Sequence, residues 1–127
     1  MRKIKSNNAP SAIGPYSQSV ISNGFVFTSG QIGLNPKTND FQSRDFEIEA
    51  NQVFKNIEAL LKDSGSSIDN VIKMNIFLTD LSNFDKLNEI MCKIFDNDNL
   101  PSRSTVEVSA LPKGAAIEID VIAELAK

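Results

Sequence analysis

Arg103 and Glu118 are the two charged residues of this chain whose surroundings suggest chemistry. Arg103 follows Pro101 at the start of one predicted strand, and Glu118 stands between Ile117 and Ile119 inside another. An arginine guanidinium can donate two parallel hydrogen bonds to a carboxylate. A carboxylate on a half-buried strand can have a raised pKa and act as a general base toward water. An arginine clamp with a water-activating carboxylate would form a hydrolytic site for a small acid.

The same two charges also have a structural interpretation. Ion pairs at strand ends are common, so Arg103 and Glu118 could bind each other, or each could face solvent separately. Spacing alone leaves these interpretations open beside the catalytic one.

Four other positions are candidate ligand contacts: Tyr16, Ser29, Gly30 and Asn88. Tyr16 is the only tyrosine, Ser29 and Gly30 end a predicted strand, and Asn88 lies on the apolar face of a predicted helix. Each also has an ordinary explanation. Tyr16 could be a half-buried aromatic in a turn, Ser29 and Gly30 a strand-end turn, and Asn88 a core amide bonded to backbone.

The composition excludes several kinds of chemistry. The chain has no histidine, which removes Ser-His-Asp and Cys-His catalysis. It has one cysteine, Cys92, so no disulfide can form within the chain, and we expect no zinc site. Cys92 falls in mid-helix beside apolar neighbours and is expected to be an inert small hydrophobe.

Length and charge set the broad class. The 127 residues fit a single domain, and a net charge of −3 argues against charge-driven nucleic-acid binding. No apolar run approaches the roughly 20 residues needed to span a membrane, and no hydrophobic stretch follows the basic start Met1–Ser6. With a single thiol, these features lead us to expect a cytoplasmic protein that has no membrane partner.

Two amphipathic patterns predict helices that could position these residues. The first covers Phe46–Leu61, with Asp45 as N-cap and Gly65 marking its end. The second covers Asn83–Phe95, with Ser82 as N-cap.

Alternating segments predict about six strands around the helices, and Asn23-Gly24 predicts a two-residue hairpin turn. The elements follow the order strands, helix, strand, helix, two strands, which predicts an α+β fold with both helices on one sheet face. The predicted strands and extended pieces are a piece near Ile4, Val20–Ser22, Phe25–Thr28, a piece around the turn at Asn35–Phe41, Asn70–Leu78, Ser104–Val108 and Ile117–Leu125.

The sheet face opposite the helices is expected to be apolar, because Val71, Phe77 and Ile122 fall on it. An uncovered apolar face in a small domain usually marks an interface. We therefore predict a homo-oligomer with closed cyclic symmetry that buries this face.

Five segments spread along the chain form a recognisable set: Asn8–Gln18, Thr28–Ile32, Leu81–Phe84, Pro101–Val108 and Ile117–Ile119. On these segments the chain resembles, essentially from end to end, the Rid family of reactive intermediate deaminases, also called the YjgF family. The resemblance implies a chorismate-mutase-like fold. It has a six-stranded mixed, mostly antiparallel sheet with two helices on one face. By this resemblance three subunits would pack into a homotrimeric barrel with binding clefts between them.

The resemblance also implies an activity: hydrolysis of 2-imino acids, such as 2-iminobutanoate and 2-iminopropanoate, to 2-oxo acids and ammonia, with no cofactor or metal. By this resemblance Arg103 would bind the substrate carboxylate and Glu118 would position or activate water. The resemblance further implies that the cleft is lined by Tyr16, Ser29, Gly30, Asn88 and Thr105. Two positions depart from the family: Thr105 stands where well-studied deaminases often have cysteine, and Asn39 stands where many members have glycine.

Two other functions are compatible with such a cleft. One is a non-catalytic module that binds a 2-oxo acid or regulates another protein, and the other is an endoribonuclease or translation inhibitor. A binding module needs Arg103 but has no obvious use for Glu118. The acidic balance and the missing histidine weigh against the ribonuclease.

Overall fold

A computed structural model, which describes residues 1–127, shows one six-stranded sheet with two helices packed on one face. A core of nineteen buried residues joins the helices to that face. Three single 3-10 turns complete the chain, at Ile68–Asn70, Leu81–Asn83 and Pro112–Gly114. The elements are β1 (Arg2–Ile4), β2 (Ser19–Ser22), β3 (Phe25–Thr28), α1 (Phe46–Asp63), β4 (Val71–Leu78), α2 (Phe84–Ile94), β5 (Ser102–Glu107) and β6 (Ile117–Glu124).

The strands lie in the order β1-β2-β3-β6-β4-β5. Every neighbouring pair is antiparallel except β4 and β5, which are parallel. The predicted α+β fold with a six-stranded mixed, mostly antiparallel sheet is therefore confirmed. The last two strands of the chain are not neighbours, because β4 lies between them.

The ends of α1 follow the predicted signals. The Asp45 carboxylate accepts a hydrogen bond from the Ile48 N–H at 3.3 Å. At the other end Gly65 has a φ of 83°, and the Ser66 N–H donates to the Leu61 carbonyl at 2.8 Å. This is a Schellman ending, in which glycine takes the left-handed position at little steric cost.

The start of α2 differs from the prediction. Asn83 is the N-cap residue, and its side chain makes no capping hydrogen bond. Ser82 instead lies within the 3-10 turn Leu81–Asn83, where its N–H donates to the Asp80 carboxylate at 2.9 Å. The prediction of Ser82 as the cap was wrong because this extra turn precedes the helix.

The hairpin between β2 and β3 turns at Asn23-Gly24 as predicted. Their φ angles of 52° and 82° are both positive, which a two-residue type I′ turn requires. The extended piece expected around Asn35–Phe41 is only a turn closed by a single bridge between Leu34 and Phe41.

The open face of the sheet, the face opposite the helices, is partly apolar. Phe27 and Val106 are 43% and 46% exposed there, and Ile122 is half-buried. The placement of Val71 on this face was wrong. A register shift between Val71 and Lys73 turns Val71 into the core, at 5% exposure, and leaves Ile72 39% exposed. No helix of the protein is long and apolar enough to cross a membrane.

Candidate active site

Glu118 projects from the middle of β6 onto the open face of the sheet, where it pairs with Phe77 of β4. Its carboxylate is half-buried and accepts no hydrogen bond from another residue of the chain. Burial raises the pKa of Glu118 above the usual range for a glutamate, and the nearby charge of Asp120 raises it further. A raised pKa is what a general base near neutral pH needs.

Gly30 makes room for this carboxylate. A Cβ atom at position 30 would lie 2.7 Å from Cδ and 2.8 Å from Oε2 of Glu118, closer than real contacts allow. The backbone on both sides is fixed, because Gln31 and Ile119 exchange two hydrogen bonds of 2.8 and 3.0 Å. Gly30, a candidate ligand contact from the sequence, therefore lies directly against the Glu118 side chain.

A cavity of about 380 Å³ opens in front of Glu118. Tyr16 and Ser29 line it together with Gly30, and each is tied to a nearby loop. The Ile13 N–H donates to the Tyr16 hydroxyl at 3.3 Å, and the Ser29 hydroxyl donates to the Ser17 carbonyl at 2.6 Å. Three of the predicted cleft residues thus surround the predicted base.

Arg103 lies elsewhere, at the start of the edge strand β5. Its guanidinium donates to Oδ1 of Asn88 at 2.6 Å and to the sulfur of Met91 at 3.0 Å. It also lies 5.1 Å from the centre of the Phe84 ring, within range of a cation–π contact. All three partners are uncharged, so the charge of Arg103 is held in place without being neutralised.

No ion pair explains Arg103. The salt bridges of the chain are Arg44–Glu49 and Lys86–Glu89, and Arg103 takes part in neither. The alternative of an Arg103–Glu118 pair is therefore wrong within one chain.

A second cavity, of about 280 Å³, opens beside Arg103 and Asn88. Leu100 and Pro101 form part of its wall. Cys92 also lines this cavity and is exposed. From the sequence we expected a small hydrophobic residue among apolar neighbours, and that placement was wrong. The prediction failed because Cys92 lies on the rim of the apolar helix face and not at its centre.

Thr105 lies two residues along β5 from Arg103 and faces the same way. Its hydroxyl oxygen is buried and has no hydrogen-bond partner in the chain. Such an orphaned polar atom is uncommon and calls for an explanation such as a ligand.

The two groups lie on opposite faces of the sheet. Arg103 pairs with Met74, whose side chain is in the core beneath the helices, whereas Glu118 pairs with Phe77 on the open face. Strand side chains alternate between faces, so positions 74 and 77 of β4 point in opposite directions. One chain therefore brings Tyr16, Ser29 and Gly30 to Glu118, and Asn88 and Thr105 to Arg103, but it does not join the two sets.

Asp120 and Asn75 were not named as functional candidates from the sequence. Asp120 lines the cavity, and its carboxylate accepts a hydrogen bond from the Asn75 amide at 2.9 Å. The strand alternation already placed Asp120 on the face of Glu118, so the signal was available. The chain contains no group of three or more histidine, cysteine or acidic side chains that could hold a metal ion.

Comparison with known proteins identifies the family. Residues 6–125 match the family model described as Endoribonuclease L-PSP. A crystal structure of the Rid protein YyfA from Yersinia pestis superimposes with a TM-score of 0.94, at 48% identity over 98% of both chains. The chain belongs to the Rid family.

Rid relatives carry more than one functional name. The human 2-iminobutanoate/2-iminopropanoate deaminase is 41% identical over 96% of this chain and 88% of its own length. Escherichia coli TdcF, solved with bound serine, is 37% identical with a TM-score of 0.92, covering 99% of this chain and all of that one. The family thus includes reactive intermediate deaminases, while its family model is named for an endoribonuclease.

Proposed function

We propose that this protein hydrolyses 2-imino acids such as 2-iminobutanoate and 2-iminopropanoate to 2-oxo acids and ammonia. The observation that carries the proposal is the state of its two charged residues. Arg103 is held by uncharged partners, and Glu118 is half-buried without a hydrogen-bond donor. A structural ion pair would engage each charge with an opposite one, and neither Arg103 nor Glu118 has such a partner.

Arg103 binds the substrate carboxylate. Asn88 and Met91 each take one N–H of the guanidinium, which leaves other donors for two parallel bonds to a planar carboxylate. The Phe84 ring helps to fix the orientation of the guanidinium plane. Asn88 therefore acts through Arg103, and the orphaned Thr105 hydroxyl offers one further polar contact.

Glu118 activates the attacking water. As the water oxygen bonds to the imine carbon, a water proton passes to the Glu118 carboxylate, and the carbinolamine forms. Glu118 returns this proton to the nitrogen, and the C–N bond breaks with its electron pair leaving on ammonia. The C=O bond forms as the carbinolamine hydroxyl gives its proton to the Glu118 carboxylate, which passes it to solvent or to the released ammonia. A protonated imine carbon is already electrophilic, so positioning and one general base supply the catalysis, the base giving roughly 10²–10⁴-fold.

The complete site requires more than one subunit. The Arg103 and Glu118 groups occupy separate cavities on opposite sheet faces, and the open face carries exposed Phe27 and Val106. We infer a homotrimer in which the Glu118 cavity of one subunit faces the Arg103 cavity of its neighbour, with the open faces buried inside. We place this reaction in the cytoplasm, where the exposed thiol of Cys92 stays reduced.

The direct test generates 2-iminobutanoate in situ with a threonine dehydratase and follows its loss. Wild type should accelerate hydrolysis beyond buffer, whereas Arg103→Ala and Glu118→Ala should not. Matched controls are Arg2→Ala and Glu58→Ala, which remove exposed charges far from both cavities and should keep the wild-type rate.

Each failure of this test has a distinct meaning. A wild-type protein that binds 2-oxobutanoate through Arg103 without speeding hydrolysis would be a binding module. Full activity of Glu118→Ala would remove the water-activating role while leaving the deaminase in place.

A further inference from the structure

Asp120 is the second carboxylate of the Glu118 cavity. The two residues are separated by one position along β6, so their side chains emerge on the same face, about 7 Å apart along the strand. Asn75 lies directly opposite Asp120 on β4, and its amide donates to Oδ1 of Asp120 at 2.9 Å. Asp120 lines the same cavity as Glu118, and the Asn75 bond holds its carboxylate in one orientation.

We propose that Asp120, held by Asn75, is a positioning residue that sets the pH range over which Glu118 can accept a proton and return it. This inference rests on the proposed function. Asp120 acts by its charge on Glu118 and does not contact the reacting atoms. The charge of Asp120 matters because Glu118 must first take a proton from water and then deliver it to the leaving nitrogen.

Asp120 forms no salt bridge within the chain, so no cation neutralises the negative charge that it places near Glu118. The other charged residues on this face are Lys3 of β1, Lys73 of β4 and Glu124 of β6, and none of them forms a salt bridge. The neighbouring strand β5 contributes Ser102, Ser104 and Val106 to the face. From the other side β3 contributes Phe25 and Phe27, and the adjoining loop contributes the neutral Tyr16.

The sign of the effect follows from electrostatics. A second negative charge disfavours the ionised form of a carboxylate, so Asp120 raises the pKa of Glu118 in addition to burial. An ordinary glutamate would take up a proton less readily at neutral pH. A base whose pKa lies nearer the working pH both accepts the proton and passes it on.

The test is the pH profile of kcat/KM for 2-iminobutanoate hydrolysis in Asp120→Asn. Asparagine keeps the size and the acceptor for Asn75 but removes the charge. The acidic limb of the profile should move to lower pH, while Asp120→Glu should keep the limb near that of wild type. Asp69→Asn makes the same change in net charge at an exposed site away from the cavity and should leave the limb unmoved.

Asn75→Ala gives a second, independent variant. Without the amide, the Asp120 carboxylate is free to turn away from the cavity, so the limb should move in the same direction by a smaller amount. An unchanged limb in both Asp120→Asn and Asn75→Ala, with hydrolysis intact, would overturn the proposal. Absence of hydrolysis in wild type would instead overturn the proposed function, so the two failures are distinguishable.

Discussion

The Glu118 cavity and the Arg103 cavity are built by different means. Around Glu118 the structure relies on backbone, since Gly30 leaves space and the Gln31–Ile119 bridge fixes the two segments. Around Arg103 it relies on side chains of α2, chiefly Asn88 and Met91. Glu118 is therefore left without a hydrogen-bond donor, and Arg103 is oriented by uncharged partners.

A third charged residue shows what a structural carboxylate looks like in this fold. Glu49 of α1 is only 1% exposed, accepts a hydrogen bond from the Ala116 N–H at 2.7 Å and pairs with Arg44 at 3.2 Å. Its charge is paired with a cation, as burial requires, although Oε1 accepts no hydrogen bond. Glu118 lacks both kinds of partner, and that difference is why we propose it, and not Glu49, as the general base.

The largest of the three effects predicted below is a loss of kcat when Gly30, which makes room for the Glu118 carboxylate, is replaced. Gly30→Ala places a methyl group where Glu118 now lies, so the carboxylate must shift by an ångström or more. Misplacement on this scale should lower kcat by roughly 10²-fold. Gly14→Ala is the matched control, because its new methyl group would make only an ordinary 3.5 Å contact with the Tyr16 ring. Equal kcat values for the two variants would contradict the account of Gly30.

A smaller effect, on KM, is expected when Arg103 is replaced by another positively charged residue. Arg103→Lys retains the cation but loses the planar pair of donors, so substrate binding should weaken by about 10-fold or more, mainly through KM. Arg2→Lys, at an exposed position of β1, should leave KM unchanged. A fall in kcat with KM unchanged would show that Arg103 acts on the reacting centre and not on the carboxylate.

The smallest effect concerns stability. Because the folded-state pKa of Glu118 is raised, the folded protein binds more protons than the unfolded chain between the two pKa values, and stability falls as pH rises through that window. Glu118→Gln removes this cost and should raise the free energy of unfolding at neutral pH. The gain should vanish below the unfolded-state pKa. Urea unfolding of both proteins at neutral and acidic pH measures it, and a destabilised Glu118→Gln at neutral pH would be the contrary result.

Much of the fold could be predicted from local sequence. The Asn23-Gly24 turn, the Gly65 ending of α1 and the side-chain alternation of β5 and β6 each depend on a few adjacent residues. Errors arose where pairing between distant segments decides the outcome. The register shift beside Val71 and the insertion of β4 between β5 and β6 leave no local mark.

In the candidate site, too, local patterns were predicted correctly and contacts between distant segments were not. The alternation along each strand was enough to put Asp120 with Glu118 and Thr105 with Arg103. The separation of Arg103 from Glu118 depends on strand order and register, which link residues far apart in the chain. Only the folded sheet shows that one chain holds Glu118 and Arg103 in two separate cavities.

The central claim is that each active site combines Glu118 of one subunit with Arg103 of another. It is tested most directly by unfolding Arg103→Ala and Glu118→Ala together, refolding the mixture and measuring imine hydrolysis. Random assembly of trimers should restore up to about one quarter of the wild-type activity, since one interface in four then contains both intact residues. Hybrid trimers that form but stay as inactive as either parent would contradict a shared site.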